Sequence, residues 1–210
     1  MATAPEGTRL SADEALARLI EGNQRFLRGE ARSSAFRRET LTDLAKAQSP
    51  YATVLGCSDS RVPPEWIFDT GLGELFVIRV AGNILSQEMA GTLQYAGAYL
   101  ETPLFVILGH EGCGAITAAL STKHEGEQFR SRVQLLLANI LPGLPDFDPM
   151  LSPEEQASRA VESNVRWALR QILDSPEWDA RMAEGRMKLV GAVYEIETGR
   201  VRFLPPDETR

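Results

Sequence analysis

Two cysteines, a histidine, an aspartate and an arginine stand out because their types and spacing suit metal chemistry. Cys57 opens the run Cys57-Ser58-Asp59-Ser60-Arg61, and the run His110-Glu111-Gly112-Cys113 follows later in the chain. The chain has no other cysteine, and the bland reading of each thiol is a buried, inert side chain. Two thiolates and an imidazole, however, form a ligand set that Zn2+ favours. Three protein ligands leave a fourth position open, as a catalytic metal requires, whereas a structural site would take a fourth Cys or His. The second histidine, His124, falls in the charged run Lys123-His124-Glu125-Gly126, which reads as a solvated loop. Two residues past Cys57, Asp59 can reach the metal or its bound water. Arg61 can hold that carboxylate ionised through a bidentate pair. An ionised carboxylate only accepts hydrogen bonds, so Asp59 would fix the proton of a zinc hydroxide and aim its lone pair at substrate. Taken alone, the two also read as a surface ion pair of small energetic weight.

To serve one site, these residues must be delivered by elements that converge. Residues 51–57, 75–80 and 103–108 are short, apolar and rich in β-branched side chains, and each ends in Gly or polar residues. They are expected to be strands covered on both faces. Residues 188–194 read as a fourth strand, and 201–204 pair with it as a hairpin through 197–200. Between them lie helices. Ser11 with Glu14 forms a capping-box signature, Leu16, Leu19, Ile20, Phe26 and Leu27 recur at helical spacing, and Gly29 supplies a stop. Ser86 caps a second helix with Met89, Leu93, Ala96 and Leu100 on one face. Gly114 opens a third over 115–120, its N–H groups aimed at the thiolates or a bound anion. Ser152, Pro153 and Glu155 begin a long helix to about Leu173, and Ser175-Pro176 starts another. This order predicts an α/β fold with a mostly parallel central sheet flanked by helices. Cys57 and the His110–Cys113 run then lie at the carboxyl ends of two strands, the edge where open α/β sheets bind ligands.

The 210 residues suit a single domain, with 1–48 as an N-terminal helical arm and 49–210 as the α/β zinc core. The arm suits a position across a partner subunit, although packing on its own chain is the default. Residues 141–149 read as a Pro-rich loop, not as a linker. A hydrophobic fraction of 43% allows an ordinary core without disulfides. The net charge of −7 gives no general attraction to nucleic acid or an anionic membrane. No apolar run is long enough to span a bilayer, and residues 1–8 lack the apolar core of a secretory leader. A cytoplasmic protein is expected.

The runs Cys57-Ser58-Asp59-Ser60-Arg61-Val62 and Gly109-His110-x-x-Cys113-Gly114-Ala115 resemble the two zinc motifs of the β-class carbonic anhydrases. Residues 76–83 resemble that family's central strand and the loop after it, and 191–199 its closing strand, so the likeness covers most of the chain. The resemblance implies one Zn2+ per chain on Cys57, His110 and Cys113, with Asp59 and Arg61 as catalytic dyad. The implied reaction is reversible hydration of CO2 to bicarbonate and a proton by zinc-hydroxide attack. Gln48, Phe76 and Tyr95 stand where the plant-like subgroup carries substrate-contacting groups, and Gly114 would complete the pocket. Without the family, Gln48 reads as a turn residue and the two aromatics as core. Glu111 and Gln94 depart from the usual pattern. A subgroup with a regulatory bicarbonate site carries Trp where this chain has Val54. Arg79 and Tyr194 match that subgroup's other two residues, which leaves the non-regulated type expected. The family's assemblies imply a homodimer or homotetramer with pockets at subunit boundaries. Two other readings stand beside this one. The first is a hydrolase of carbonyl sulfide or carbon disulfide using the same chemistry. The second is a non-catalytic, zinc-stapled interaction protein in which Asp59 closes the metal.

Overall fold

A computed structural model describes residues 10–31, 41–42, 44–129, 131–146 and 148–206. The leader reading of residues 1–8 and much of the expected arm lie outside the described residues. Helix α1 (Ala12–Leu27) begins at Ser11, whose hydroxyl accepts from the Glu14 N–H while Glu14 reaches back to the Ser11 N–H, the expected capping box. Strand β1 (Ala52–Gly56) leads through the short helix α2 (Pro64–Ile67) to β2 (Leu75–Arg79). A 3-10 turn (Ala81–Asn83) and α3 (Gln87–Tyr95) precede β3 (Leu104–His110). Helices α4 (Gly114–Glu125), α5 (Val133–Ile140), α6 (Pro153–Leu173) and α7 (Pro176–Ala183) follow. The hairpin of β4 (Lys188–Tyr194) and β5 (Val201–Phe203) closes the described chain.

The strands form one sheet in the order β2-β1-β3-β4-β5, with β1 to β4 parallel and β5 antiparallel. The expected mixed α/β architecture is therefore present. The chain leaves β1 toward β2 on one side and leaves β3 toward β4 on the other. That reversal opens a crevice at the carboxyl ends of β1 and β3, as doubly wound sheets require for ligand binding. Every residue of β1 and β3 is buried, in keeping with strands covered on both faces.

Four differences from the sequence reading are informative. Strand β2 is an edge strand and only half-buried, because one side has no strand neighbour among the described residues. The helix from Ser86 does not stay α-helical to Leu100; it widens into a π turn over Ala96–Leu100 and stops at Glu101, whose φ is +52°. Helix α4 runs on to Glu125, so His124 sits half-buried in its last turn and not in a solvated loop. Helix α5, just ahead of the Pro-rich loop, was not expected at all.

Helix α1 packs on its own chain. A Cβ on Gly22 would lie 1.9 Å from the Phe68 carbonyl oxygen, so only glycine permits this close approach to the end of α2. Next to it, buried Asn23 donates to the carbonyls of Ile67 (3.1 Å) and Gly199 (2.9 Å) and accepts from the Val201 N–H (3.0 Å). No helix of the described residues is long and apolar enough to cross a membrane.

Candidate metal centre

The two strand ends bring Cys57, His110 and Cys113 together. Cys57 is the first residue after β1, His110 the last of β3, and Cys113 the residue that precedes α4. Parallel pairing sets Gly56 beside Leu108, which places Cys57 level with the end of β3. Their sulfur and ring-nitrogen atoms all lie within 4.8 Å of one another, and the two Sγ atoms are 4.0 Å apart. All three side chains are buried, none more than 5% exposed.

The surroundings prepare this cluster for a cation. His110 Nδ1 lies 2.8 Å from the Glu111 carbonyl, which only accepts, so Nδ1 donates and Nε2 presents its lone pair to the sulfurs. That Nε2 is buried and has no hydrogen-bond partner, an unsatisfied acceptor of the kind that interiors rarely keep without a ligand. The N–H groups of Asp59 (3.4 Å) and Gly82 (3.3 Å) point at Cys57 Sγ. The Cys57 thiol is held well below its ordinary range, first by the hydrogen bond from Cys113 and then by His110 and these two amides, against the opposing effect of burial. Cys113 is pushed up in turn, by that same bond and by burial, while the amides of Ile116 and Ala115 at the start of α4 pull it down. Burial alone would lower the His110 pKa, but the neighbouring Cys57 sulfur and the Glu111 carbonyl raise it. One thiol primed to ionise, a second beside it that a cation would deprotonate, and a free imidazole nitrogen at this spacing fit a zinc ion.

Asp59 faces the same point, with Oδ2 4.0 Å from His110 Nε2. Arg61 grips it through Nε to Oδ1 (2.9 Å), an Nη to Oδ2 (2.7 Å) and its backbone N–H to Oδ1 (3.0 Å). The side-chain bond to Arg61 is the main reason Asp59 stays ionised far below the usual carboxylate range. Arg61 is anchored in its turn on the Gly112 carbonyl at 3.2 Å, so the dyad spans both loops of the cluster. Arg79, at the end of β2, donates to the carbonyls of Cys57 (2.9 Å) and Asp59 (2.6 Å) and pins the first loop from outside. From the sequence, Arg79 stands only as a match to a regulatory site. Its spacing from Cys57 gave no sign that it would hold these carbonyls.

The remaining sequence candidates are placed differently. Gly114, exposed at the first position of α4, adjoins Cys113, and a Cβ there would meet nothing. Phe76 pairs with Thr53, four residues before Cys57, which is about 13 Å away along the strand. Tyr95 lies beside Phe76 with ring centroids 6.2 Å apart, and Tyr99 stacks on Tyr95 at 5.3 Å. Gln48 is exposed on the approach to β1, at the end opposite Cys57. Within one chain the metal cluster and these three residues occupy different ends of the sheet.

Comparison with known proteins gives a consistent likeness. A family model described as carbonic anhydrase matches residues 52–201. Carbonic anhydrase 2 of Mycobacterium tuberculosis is 35% identical over 184 residues, covering 87% of each chain. A carbonic anhydrase of Pseudomonas aeruginosa is 35% identical over 200 residues, covering 89% of this chain and 86% of that protein. Among solved structures, the β-carbonic anhydrase CcaA superposes with a TM-score of 0.72 at 30% identity, covering 92% of this chain and 93% of that one.

Proposed function

Since the chain belongs to the carbonic anhydrase family, in its β class, we propose that it catalyses the reversible hydration of CO2 to bicarbonate and a proton. The carrying observation is the buried group of Cys57, His110 and Cys113, within 4.8 Å of one another, with Asp59 facing it. These three side chains would hold one zinc ion. When bound, zinc supplies the Lewis acidity that lets a water give up its proton near neutral pH.

The chain's own residues do the rest. Arg61 keeps Asp59 ionised and therefore an acceptor only. Asp59 Oδ2 accepts a hydrogen bond from the reacting water and turns its lone pair toward the carbon of CO2. With both carboxylate oxygens engaged by Arg61, Asp59 is held back from ligation, which argues against a zinc-stapled protein without activity. Gly114 leaves the mouth beside Cys113 open to substrate and to departing bicarbonate. Gln48, Phe76 and Tyr95 line a pocket with the metal cluster of a second copy, in a homodimer or a homotetramer. Their distance from the cluster of their own chain, and the edge of β2 that no described strand covers, support that arrangement. Arg79 is occupied by the Cys57 and Asp59 carbonyls, which supports the non-regulated type. The cytoplasm, a reducing compartment, suits a chain that depends on two free thiols.

Stopped-flow CO2 hydration by the zinc-loaded protein tests this reading. Rapid turnover, abolished in Cys57→Ser together with zinc binding, is expected. No turnover despite one zinc per chain would overturn it.

A further inference from the structure

Helix α6 turns a buried face of Ala160, Val161, Val165, Ala168 and Ile172 inward, and one amide, Asn164, sits among them at 2% exposure. Burying an amide without a partner is costly, and a leucine would simply continue the apolar stripe. Asn164 instead donates through Nδ2 to the Gly82 carbonyl at 2.9 Å, across 82 residues of sequence. Gly82 is the residue whose N–H reaches Cys57 Sγ at 3.3 Å. It holds φ at +70°, and a Cβ there would lie 2.8 Å from Ile140 Cδ1 and 3.2 Å from Ala115 Cβ. Glycine thus lets the turn fit under α4 and α5, but the same freedom leaves its orientation undetermined unless something ties it.

We propose that Asn164 is a positioning residue for the metal centre: from α6 it ties the Gly82 carbonyl and so keeps the Gly82 N–H on the Cys57 sulfur. The proposal rests on the reading of Cys57, His110 and Cys113 as the zinc site and deepens it. An N–H bonded to a thiolate draws density from the sulfur lone pairs and fixes their direction. Partners of this kind, one bond removed from the metal, typically change metal affinity about 10- to 100-fold when lost.

The test compares wild type with Asn164→Leu, which is close in size, after loading with cobalt(II). Three quantities are measured: the sulfur-to-cobalt charge-transfer absorption, zinc affinity by chelator competition, and thermal unfolding. In the variant we expect a cooperative melt, a charge-transfer band moved to lower energy, and zinc affinity weakened about 10- to 100-fold. An amide that merely fills the core would leave the band where it is, so an unshifted band with affinity unchanged overturns the proposal. Amide exchange at Gly82 in the zinc-loaded wild type gives a second readout that does not depend on the variant folding. Protection equal to that of β1 supports the tie, and rapid exchange overturns it. Failure of the wild type to bind cobalt would sink the metal reading itself, which keeps the two failures distinct.

Discussion

The two ends of the sheet are built to different degrees of completion. At the carboxyl ends of β1 and β3, Cys57, His110 and Cys113 are buried, and Arg61 and Arg79 tie down three carbonyls of the loops that carry them. At the other end, Phe76 and Tyr95 are half-buried, Tyr99 is 58% exposed, and Gln48 lies in the open beside an edge strand. The first region holds its chemistry without outside help. The second carries aromatic surface that the described residues of its own chain do not cover, which is the condition expected of a surface shared between copies. In the assembly proposed above, a strand's two ends would serve two different sites, one in each protomer.

The sharpest way to break this contrast is to loosen the finished end. Arg61→Ala removes every side-chain bond that orients Asp59. CO2 hydration should fall by about a hundredfold or more, while zinc content, read by metal analysis, stays near one per chain. Loss of zinc instead would mean that Arg61 holds the fold of the loop and not the carboxylate. A smaller effect sharpens the other half of the comparison. Cys57→Ser lacks a metal centre and Tyr95→Ala lacks a pocket wall, and the two can be unfolded and refolded together. If sites are shared across a two-fold axis, random pairing makes about half the dimers mixed, each with one intact site, so about a quarter of wild-type activity returns. No recovery from two inactive variants would mean that Tyr95 does not serve the metal centre of another protomer.

The smallest expected effect concerns stability. Asp59 has its folded pKa lowered, chiefly by Arg61, so its contribution is present above the unfolded value of about 3.9 and is lost as pH falls through the folded value. The melting temperature of wild type should exceed that of Asp59→Asn by a steady margin from neutral down to about pH 5, and the gap should close in stronger acid. A gap that instead varied through the neutral range would assign it to another group.

How much of this was legible in the sequence depends on how each residue is held. Cys57, Asp59, Arg61, His110 and Cys113 sit in two short runs at strand ends, so local order alone brought them into one reading. Apolar, β-branched runs likewise announced β1, β3 and β4. The half-exposed β2 was misread because its composition resembles that of a central strand, and only sheet order decides which strand lies at the edge. Arg79, Gly112 and Asn164 act through backbone carbonyls, and a bond to a carbonyl leaves no mark on the type of residue that supplies it. A lone Asn in a helix reads first as a surface residue, so its type hid the buried role of Asn164. For His124, the charged neighbours suggested a loop, and the capping Gly126, with φ +72°, shows that the helix simply ended two residues later.

The bonds from Asn23 to Gly199 and Val201 also have a temporal side. They join residues separated by 176 and 178 positions, so Asn23 cannot complete its bonds until that hairpin has left the ribosome. At about 5–20 residues per second, that delay is roughly ten to forty seconds. Throughout it, the Asn23 side chain, 4% exposed in the finished protein, has only the Ile67 carbonyl of its three partners. Premature termination before the hairpin would leave Asn23 with the Ile67 carbonyl alone, one of its three partners.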